Sequence, residues 1–565
     1  MRSILTTLHS KFIHPSLALP YLAAFCAEDC GELLIREFTV HEPKENVLAE
    51  LLAEAPDSVA FSVYLWNRRE TLELVDALHA VRPALRIVLG GPEVSFEGAA
   101  LFHRHPGVTA VVCGEGELPF RGLLGAWTRN EAPGEIPRLL WRDATGVRQN
   151  ADAPPLADLD RIPSPFTQGL VDLSRGFVYY ETSRGCPYTC AFCMSSLDAR
   201  VRSFSMERIR HDLGWLMARK VPKIKLVDRT FNYDPARTRD IFAYILKHNR
   251  ASHFHFEIGA HLLEEETLTL LEKVPEGMFQ FEIGVQSTLP ATLDAIGRQT
   301  SLERLEANVR RLRRQGNIRL HLDLIAGLPG EGYQQFLASI DRVAALAPHH
   351  LQIEPVKLLP GSPLRAAAAK HGLCSDPNPP YAVLATADLS FAELERLRGI
   401  GRLLDLTFNS GRFHHFLEGL QKACSSLGQG LGRLEAFWQK SGRFRHPLSQ
   451  RSLFEGAWHF AKETFDGTVG KELEERIAYD FALTERVVPG NVPAFFDTEL
   501  TDTEMQAVRD RVRREAASLK GLPVKIQYFS AAFTRLPNLR KRTVLLFLYL
   551  TQAGKGMTVR EFRLE

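Results

Sequence analysis

The sequence predicts an α/β protein: two successive strand–helix series, then a mostly α-helical end. Three observations carry this. Residues 1–128 alternate short apolar runs with helical periodicity, the spacing of a parallel, doubly wound, Rossmann-like (flavodoxin-like) sheet. Residues 171–370 repeat that alternation with six strands. A tight cysteine triplet directly follows the first strand of the second series, at the carboxyl end where such folds hold ligands. With 565 residues the chain is too long for one hydrophobic core, so several domains are expected. Its 45% apolar and 24% charged content is ordinary for a globular protein. A net charge of +2 gives no reason to expect a nucleic-acid or membrane partner. The run Arg310–Arg314 reads as a solvated helix face. The first residues lack the apolar region of a signal peptide, and no 18-residue charge-free apolar span occurs. Five cysteines outside the triplet form no disulfide-like framework, so a reducing cytoplasm is expected.

In the first region, strands are expected at Ser3–Leu8, Glu32–Val40, Ser58–Val63, Arg86–Leu89 and Ala110–Cys113. Helices are expected at Leu17–Cys26, Val47–Ala55 and Thr71–Val81. The strand ends carry His9–Ser16, Tyr64–Arg69, Gly90–Val94 and Gly114–Glu117. Gly90, Gly91, Gly114 and Gly116 let the backbone turn sharply and let a bulky ligand approach without Cβ clashes. No G-x-G-x-x-G follows the first strand, which argues against a dinucleotide. Residues 129–170, rich in Pro and Asp, read as a linker.

In the second region, strands are expected at Phe177–Thr182, Lys223–Asp228, His253–Gly259, Met278–Gln286, Ile318–Ala326 and His350–Leu358. Pro235–Lys247 and Leu302–Arg314 are among the intervening helices. After the first strand comes Cys186-x3-Cys190-x2-Cys193. Chance would place such a triplet in a chain with eight cysteines only about 0.002 times. Three thiolates on one loop can hold three irons of a [4Fe–4S] cluster and leave the fourth iron open. A zinc knuckle and buried structural thiols are the alternatives, but a closed zinc site needs four ligands and no fourth Cys or His lies close by.

Beyond residue 370 a linker (371–380) precedes helical stretches at Ala387–Phe408, Phe413–Trp438, Gln450–Phe465 and Thr501–Leu519. Val524–Phe533, Val544–Thr551 and Met557–Leu564 read as a small terminal sheet. His414, His415 and His459 are candidates for a substrate pocket, with packed or solvent-facing roles as the alternative.

The cysteine loop, with Phe192 as the aromatic residue before the last cysteine, resembles that of the radical S-adenosylmethionine (SAM) enzymes. The resemblance implies a partial (β/α)6 barrel over 171–370, whose open cluster iron is chelated by SAM. Further strand ends match it. Phe281-Glu-Ile-Gly-Val-Gln-Ser287 resembles the stretch whose Glu and Gln, here Glu282 and Gln286, lie near the SAM ribose and methionine. Asp323–Glu331, with Gly327 and Gly330, resembles the family's SAM turn. Asp228 and Asn232 are placed at the barrel mouth, and Asp228 and Glu282 become the candidate catalytic carboxylates. A helix cap for Asp228 and an internal salt bridge for Glu282 are the alternatives. The segments HPSLALPYLAA, GGPEVS and GEGE, the last including Glu115, resemble the cobalamin-binding domain found ahead of many radical SAM domains. A plain flavodoxin-like scaffold is the alternative. No D-x-H-x-x-G is present, which implies cobalamin without a protein histidine below the metal. By position, Tyr64, Trp66 and Asn67 would lie beneath the corrin, with a strand-end cap as the alternative, and His14 lies near the ligand mouth. The C-terminal part is similar to an extension carried by some such proteins.

The resemblance implies methylation of an unactivated carbon of a small-molecule substrate. One SAM would be cleaved to a radical and a second would methylate cobalamin, with electrons from an external donor such as flavodoxin or ferredoxin. Three alternatives stay open. They are cobalamin-dependent chemistry without methylation, such as oxidative cyclisation; an N-terminal domain used only for docking; and a non-catalytic iron–sulfur binding protein.

Overall fold

The computed structural model describes residues 1–11, 14–520, 523–552, 554 and 556–564. The chain divides into two compact units. The first holds Met1–His321, Gly327–Gly330 and Pro355–Asp388; the second holds Leu322–Ala326, Glu331–Glu354 and Leu389–Glu565.

The first unit opens with a seven-stranded sheet: β1 (Arg2–His9), β2 (Glu32–Thr39), β3 (Ser58–Ser62), β4 (Arg86–Gly90), β5 (Val108–Val112), β6 (Leu139–Asp143) and β7 (Gly146–Gln149). The order is β2-β1-β3-β4-β5-β6-β7, parallel as far as β5 and antiparallel after it. The parallel part has the flavodoxin-like order, and its switch point lies between β1 and β3. The central strands are buried on both faces, which is why β3 reads as an unbroken apolar run, Val59-Ala-Phe61, between two buried serines. The helix at Arg68–Val81 packs Leu72, Val75 and Leu78 against this core. The strands β6 and β7 fall where the sequence predicts a linker. Pro- and Asp-rich flanks mask the apolar Leu139-Leu-Trp141 that adds to the sheet edge.

A second parallel sheet of the same unit begins with β8 (Phe177–Tyr180) and, after a separate antiparallel ladder of β9 (Ser183–Arg184) with β10 (Arg202–Ser203), continues with β11 (Lys223–Leu226), β12 (His253–Glu257) and β13 (Phe279–Gln286). Strands β8, β11, β12 and β13 pair side by side in that order. The strands expected fifth and sixth are found at Arg319–Ala326 and His350–Pro355. Burial alternates along β13: Phe279, Phe281, Ile283 and Val285 are buried, while Gln280, Glu282, Gly284 and Gln286 are partly open. The buried face packs on the helix Pro235–His248, where Phe242 meets Phe256, Phe279 and Phe281 at ring distances of 5.1, 5.3 and 6.0 Å. Each such phenylalanine contributes roughly 2–3 kcal/mol by burial. The other face is left polar, a lining rather than a core. That helix starts where Asp234 accepts from Arg237 N and Pro235 presets the first turn.

Among the described residues the second unit contains the helix Tyr333–Ala344, six further α-helices from Phe391–Leu406 to Asp502–Ser518, and an antiparallel sheet of Val524–Phe533, Thr543–Gln552 and Gly556–Leu564. The stretch expected as one helix at Phe413–Trp438 is two, His414–Cys424 and Leu427–Lys440. Ser425 takes φ 57° and the Ser426 hydroxyl caps the second helix by accepting from Gln429 N. The helix Gly467–Thr484 escapes the sequence reading. No helix among the described residues is long and apolar enough to cross a membrane.

Candidate functional site

The cysteine loop is shaped by its neighbours. Gly185 takes φ 88°, and a Cβ there would meet the Arg200 carbonyl oxygen at 2.5 Å, so only glycine fits the approach. Cys186 N donates to Asp198 O, Ala191 N to Ile296 O and Leu364 N to Ala191 O, which fixes both ends of the loop. The Tyr188 hydroxyl meets His261 Nε2 at 2.9 Å, and His261 Nδ1 meets the Thr300 hydroxyl at 3.1 Å. Burial, with Arg298 and Arg304 adding to it, pushes His261 down to about 4, so it is neutral at pH 7. Cys186 and Cys190 are buried, and Cys193 is partly open. The Arg298 guanidinium lies over the Tyr188 ring, donates to Gly284 O at 3.0 Å and reaches Cys190 Sγ at 3.7 Å. Burial pushes the Cys190 thiol up and Arg298 opposes it. Among the described residues no three His, Cys, Asp or Glu side chains gather around a single-ion position. A cubane cluster makes no such demand, because each thiolate takes its own iron. Three thiols on one pinned loop therefore fit a cluster.

On the polar face of the second sheet, Glu282 Oε2 accepts from His255 Nε2 at 2.8 Å and lies 3.6 Å from Lys225 Nζ. Burial alone would raise Glu282, but the His255 hydrogen bond and the Lys225 charge outweigh it and bring it down to about 2. Burial pushes His255 down, so a neutral imidazole donates to an ionised carboxylate. Gln286 closes β13 with φ 71°, and its Oε1 is buried without a hydrogen-bond partner. Its side chain folds back to where a Cβ at Gly284 would be, 2.1 Å from Nε2. A positive φ and an unmet acceptor thus coincide at one strand end. Gly327 and Gly330 both take positive φ, and Gly330 N donates to Asp388 at 2.8 Å.

Two adjoining cavities open at these strand ends. The first, about 460 Å³, is largely apolar and is lined by Gly90, Gly91, Gly114, Glu115 and Gly116, with Glu181 and Arg184 opposite. Gly91 takes φ 102°, and a Cβ there would lie 2.5 Å from the Val63 carbonyl oxygen. The second, about 750 Å³, is lined by His14, Trp66, Phe192, Cys193 and Lys225 among others. Tyr64 and Arg229 line both. The Tyr64 and Trp66 rings stack 4.5 Å apart at 6°, and Trp66 Nε1 donates to Leu8 O. A wide apolar wall floored by a glycine turn fits a corrin.

Several expected site residues are spent on structure instead. Asp228 does not face the mouth. It is fully buried, and its carboxylate accepts from Thr182 N, the Thr182 hydroxyl and the Ser183 hydroxyl, which ties the ends of β8 and β11. Asn232 exchanges two hydrogen bonds with the Gly259 backbone. Asn67 is fully buried; it accepts from Tyr64 N and donates to Thr7, Leu8 and Ser62, so it caps the strand ends. Glu115 lines the first cavity but is held by Arg184 and Arg202. His14 lines the second cavity with Nδ1 at 3.1 Å from the Tyr179 hydroxyl. In the second unit His415 pairs with Asp480 at 2.7 Å, His414 with Glu418 at 3.2 Å, and His459 meets Glu455 O at 2.7 Å. Three arginines went unremarked in the sequence: Arg184, Arg229 and Arg298. Arg184 was the one open to reading, since with Gly185 it directly precedes Cys186. It contacts Glu117 at 2.8 Å, Glu181 at 2.7 Å and Glu115 at 3.3 Å.

The B12 binding domain profile matches residues 4–124, the radical SAM superfamily profile residues 180–343, and that of a protein of unknown function, DUF4080, residues 369–536. The cobalamin-dependent radical SAM methyltransferase TokK of Streptomyces tokunonensis is 28% identical over 360 residues, covering 58% of this chain and 51% of that protein. The chain thus spans about half the length of the curated methyltransferases of this kind that it matches. Among solved structures, the radical SAM methyltransferase TsrM of Kitasatospora setae, with cobalamin and a [4Fe–4S] cluster bound, has a TM-score of 0.56 at 19% identity over 67% of this chain and 78% of that one. The cobalamin-dependent S-adenosylmethionine radical enzyme OxsB, with aqua-cobalamin bound, has a TM-score of 0.60 at 16% identity over 92% of this chain and 84% of that one. At these identities the structures establish a common fold. Both domain profiles are thus matched in order along one chain, a B12-binding domain followed by a radical SAM domain and then a DUF4080 region, and the chain is similar to cobalamin-dependent radical SAM enzymes that share the first two.

Proposed function

We propose that this chain methylates an unactivated carbon of a small molecule, with one [4Fe–4S] cluster, SAM and cobalamin as its cofactors. The observation that carries this reading is the junction of the two cavities. One opens onto the glycine turns of the first sheet, the other reaches Cys193, and Tyr64 and Arg229 belong to both. A methyl carrier and a radical source would then face one substrate.

When bound, the cofactors supply the radical and methyl-transfer chemistry that side chains lack. The residues do the rest. Cys186, Cys190 and Cys193 are the cluster ligands, and the loop contacts of Tyr188 and Arg298 hold them in place. Glu282, kept ionised by His255 and Lys225, accepts from a hydroxyl or ammonium group of SAM. Gln286 offers its unpartnered Oε1 to the same ligand. Tyr64 walls the corrin side, and Gly90, Gly91, Gly114 and Gly116 leave it room. The reading requires an external one-electron donor such as a flavodoxin or ferredoxin, and a reducing compartment such as the cytoplasm.

The test is turnover with SAM bearing an isotopically labelled methyl group, on protein reconstituted anaerobically with iron, sulfide and cobalamin. Candidate substrates come from the products of neighbouring genes. Label should enter the product, with S-adenosylhomocysteine and 5′-deoxyadenosine formed in equal amounts. A product that lost hydrogen or closed a ring without label would reject methylation.

A further inference from the structure

We propose that Arg229 anchors an anionic group, a carboxylate or phosphate, on the small molecule that the second cavity takes. The inference deepens the functional reading above and rests on it for treating that cavity as the substrate's. The backbone that carries Arg229 is fixed on both sides. Val227 N donates to Tyr180 O, Phe231 N donates to Glu257 O, and the Thr230 hydroxyl donates to Arg229 O at 2.8 Å. The buried Asp228 carboxylate adds its three bonds to Thr182 and Ser183. The base of the side chain is therefore rigid, while the side chain itself is exposed and lines both cavities.

The other polar groups facing the second cavity have partners of their own. His9 meets Glu37 at 3.1 Å, and His14 meets the Tyr179 hydroxyl. Lys225 lies between Glu257 at 3.9 Å and Glu282 at 3.6 Å. Glu93 accepts from the Tyr381 hydroxyl at 2.8 Å. Among the described residues, the Arg229 guanidinium makes no such contact. A guanidinium presents five donors in a flat fork that matches a carboxylate or phosphate and binds it with two parallel hydrogen bonds. The stacked Tyr64 and Trp66 rings, with Phe192, supply the wall for an apolar or planar body attached to that anion. The cavity's volume, about 750 Å³, suits a small molecule of this kind.

Two cofactors also carry anions: cobalamin has a phosphodiester and SAM a carboxylate. The test separates them from a substrate by mapping the reactivity of Arg229 to phenylglyoxal, peptide by peptide, in protein loaded with its cluster and cobalamin. Phenyl phosphate serves as the probe and benzyl alcohol as its neutral counterpart. The expected result is an Arg229 that stays reactive with cobalamin and with SAM bound, is shielded by phenyl phosphate and is unaffected by benzyl alcohol. Arg229→Gln should weaken phenyl phosphate binding, read by calorimetry, by about tenfold or more, with iron and cobalamin contents unchanged. Shielding by cobalamin alone or by SAM alone, or reactivity indifferent to phenyl phosphate, would overturn the proposal. None of these readings needs turnover, so a failure of methylation would leave them standing.

Discussion

The two parallel sheets of the first unit obey one rule and end in opposite chemistry. Both gather their ligand-facing residues at the carboxyl ends of the strands. The first sheet ends in glycines, with Gly91 and Gly114 at positive φ beneath a largely apolar cavity, and its carboxylates Glu115 and Glu117 are taken up by arginines. The second ends in thiols and working charges: the Cys186–Cys193 loop, an ionised Glu282 and an unmet Gln286 oxygen. The first suits a broad ligand that needs space, and the second a small, charged one that needs donors and acceptors. The fold supplies the position; the residues that follow each strand supply the specificity.

The strongest way to break this comparison is at the thiols. Cys190→Ala should cut anaerobic iron loading from about four atoms per chain to near zero while leaving cobalamin binding intact. Iron and cobalamin counted on the same sample decide it. Next comes Gly91→Ala, where a methyl group would sit 2.5 Å from a carbonyl oxygen at φ 102°. It should lower thermal stability and cobalamin uptake together, with iron unchanged. A smaller effect is expected at Glu282→Gln, which should weaken SAM binding roughly tenfold, as for one charge-assisted bond, without touching iron content. The same variant tests the acid limb of stability. The Glu282 pKa in the folded protein, about 2, lies below the ordinary 4.5, so its contribution is complete above pH 4.5 and is lost as pH falls toward 2. Denaturation of the metal-free protein at pH 3 and pH 6 should show a shallower difference in the variant. The smallest effect is reserved for Gly90→Ala. Its Cβ would meet only ordinary contacts at 3.8 and 3.9 Å, so the fold should hold and any loss of cobalamin would report the ligand itself.

What could be read from the sequence was local. The Cys186-x3-Cys190-x2-Cys193 spacing spans eight residues, and the strand Val524–Phe533 was legible because Val524, Ile526 and Tyr528 alternate with Lys525 and Gln527. The failures are polar residues whose partners lie far off in the chain. Asp228 bonds Thr182 across 46 positions, and Asn67 bonds Thr7 across 60 besides its neighbours Tyr64 and Ser62, so the local sequence does not show how deeply these side chains turn inward. The helix Gly467–Thr484 does carry Leu473, Ile477 and Phe481 at four-residue spacing, but Gly467 and Gly470 at its start read as a turn. The break at Ser425 was hidden because apolar periodicity resumes at once in Leu427, Leu431 and Leu434.

The Arg184 contacts bear on how such chains can be recombined. One guanidinium holds Glu115 and Glu117, from the first sheet's last glycine turn, together with Glu181, beside the cysteine loop. Grafting a different B12-type domain onto this barrel would leave Arg184 facing a new surface unless both glutamates travelled with the graft. Of the three carboxylates only Glu181 would then remain to pair Arg184 beside the thiols. A chimera builder would therefore treat Glu115, Glu117, Glu181 and Arg184 as a single inherited block, although two of the four precede the domain junction and two follow it.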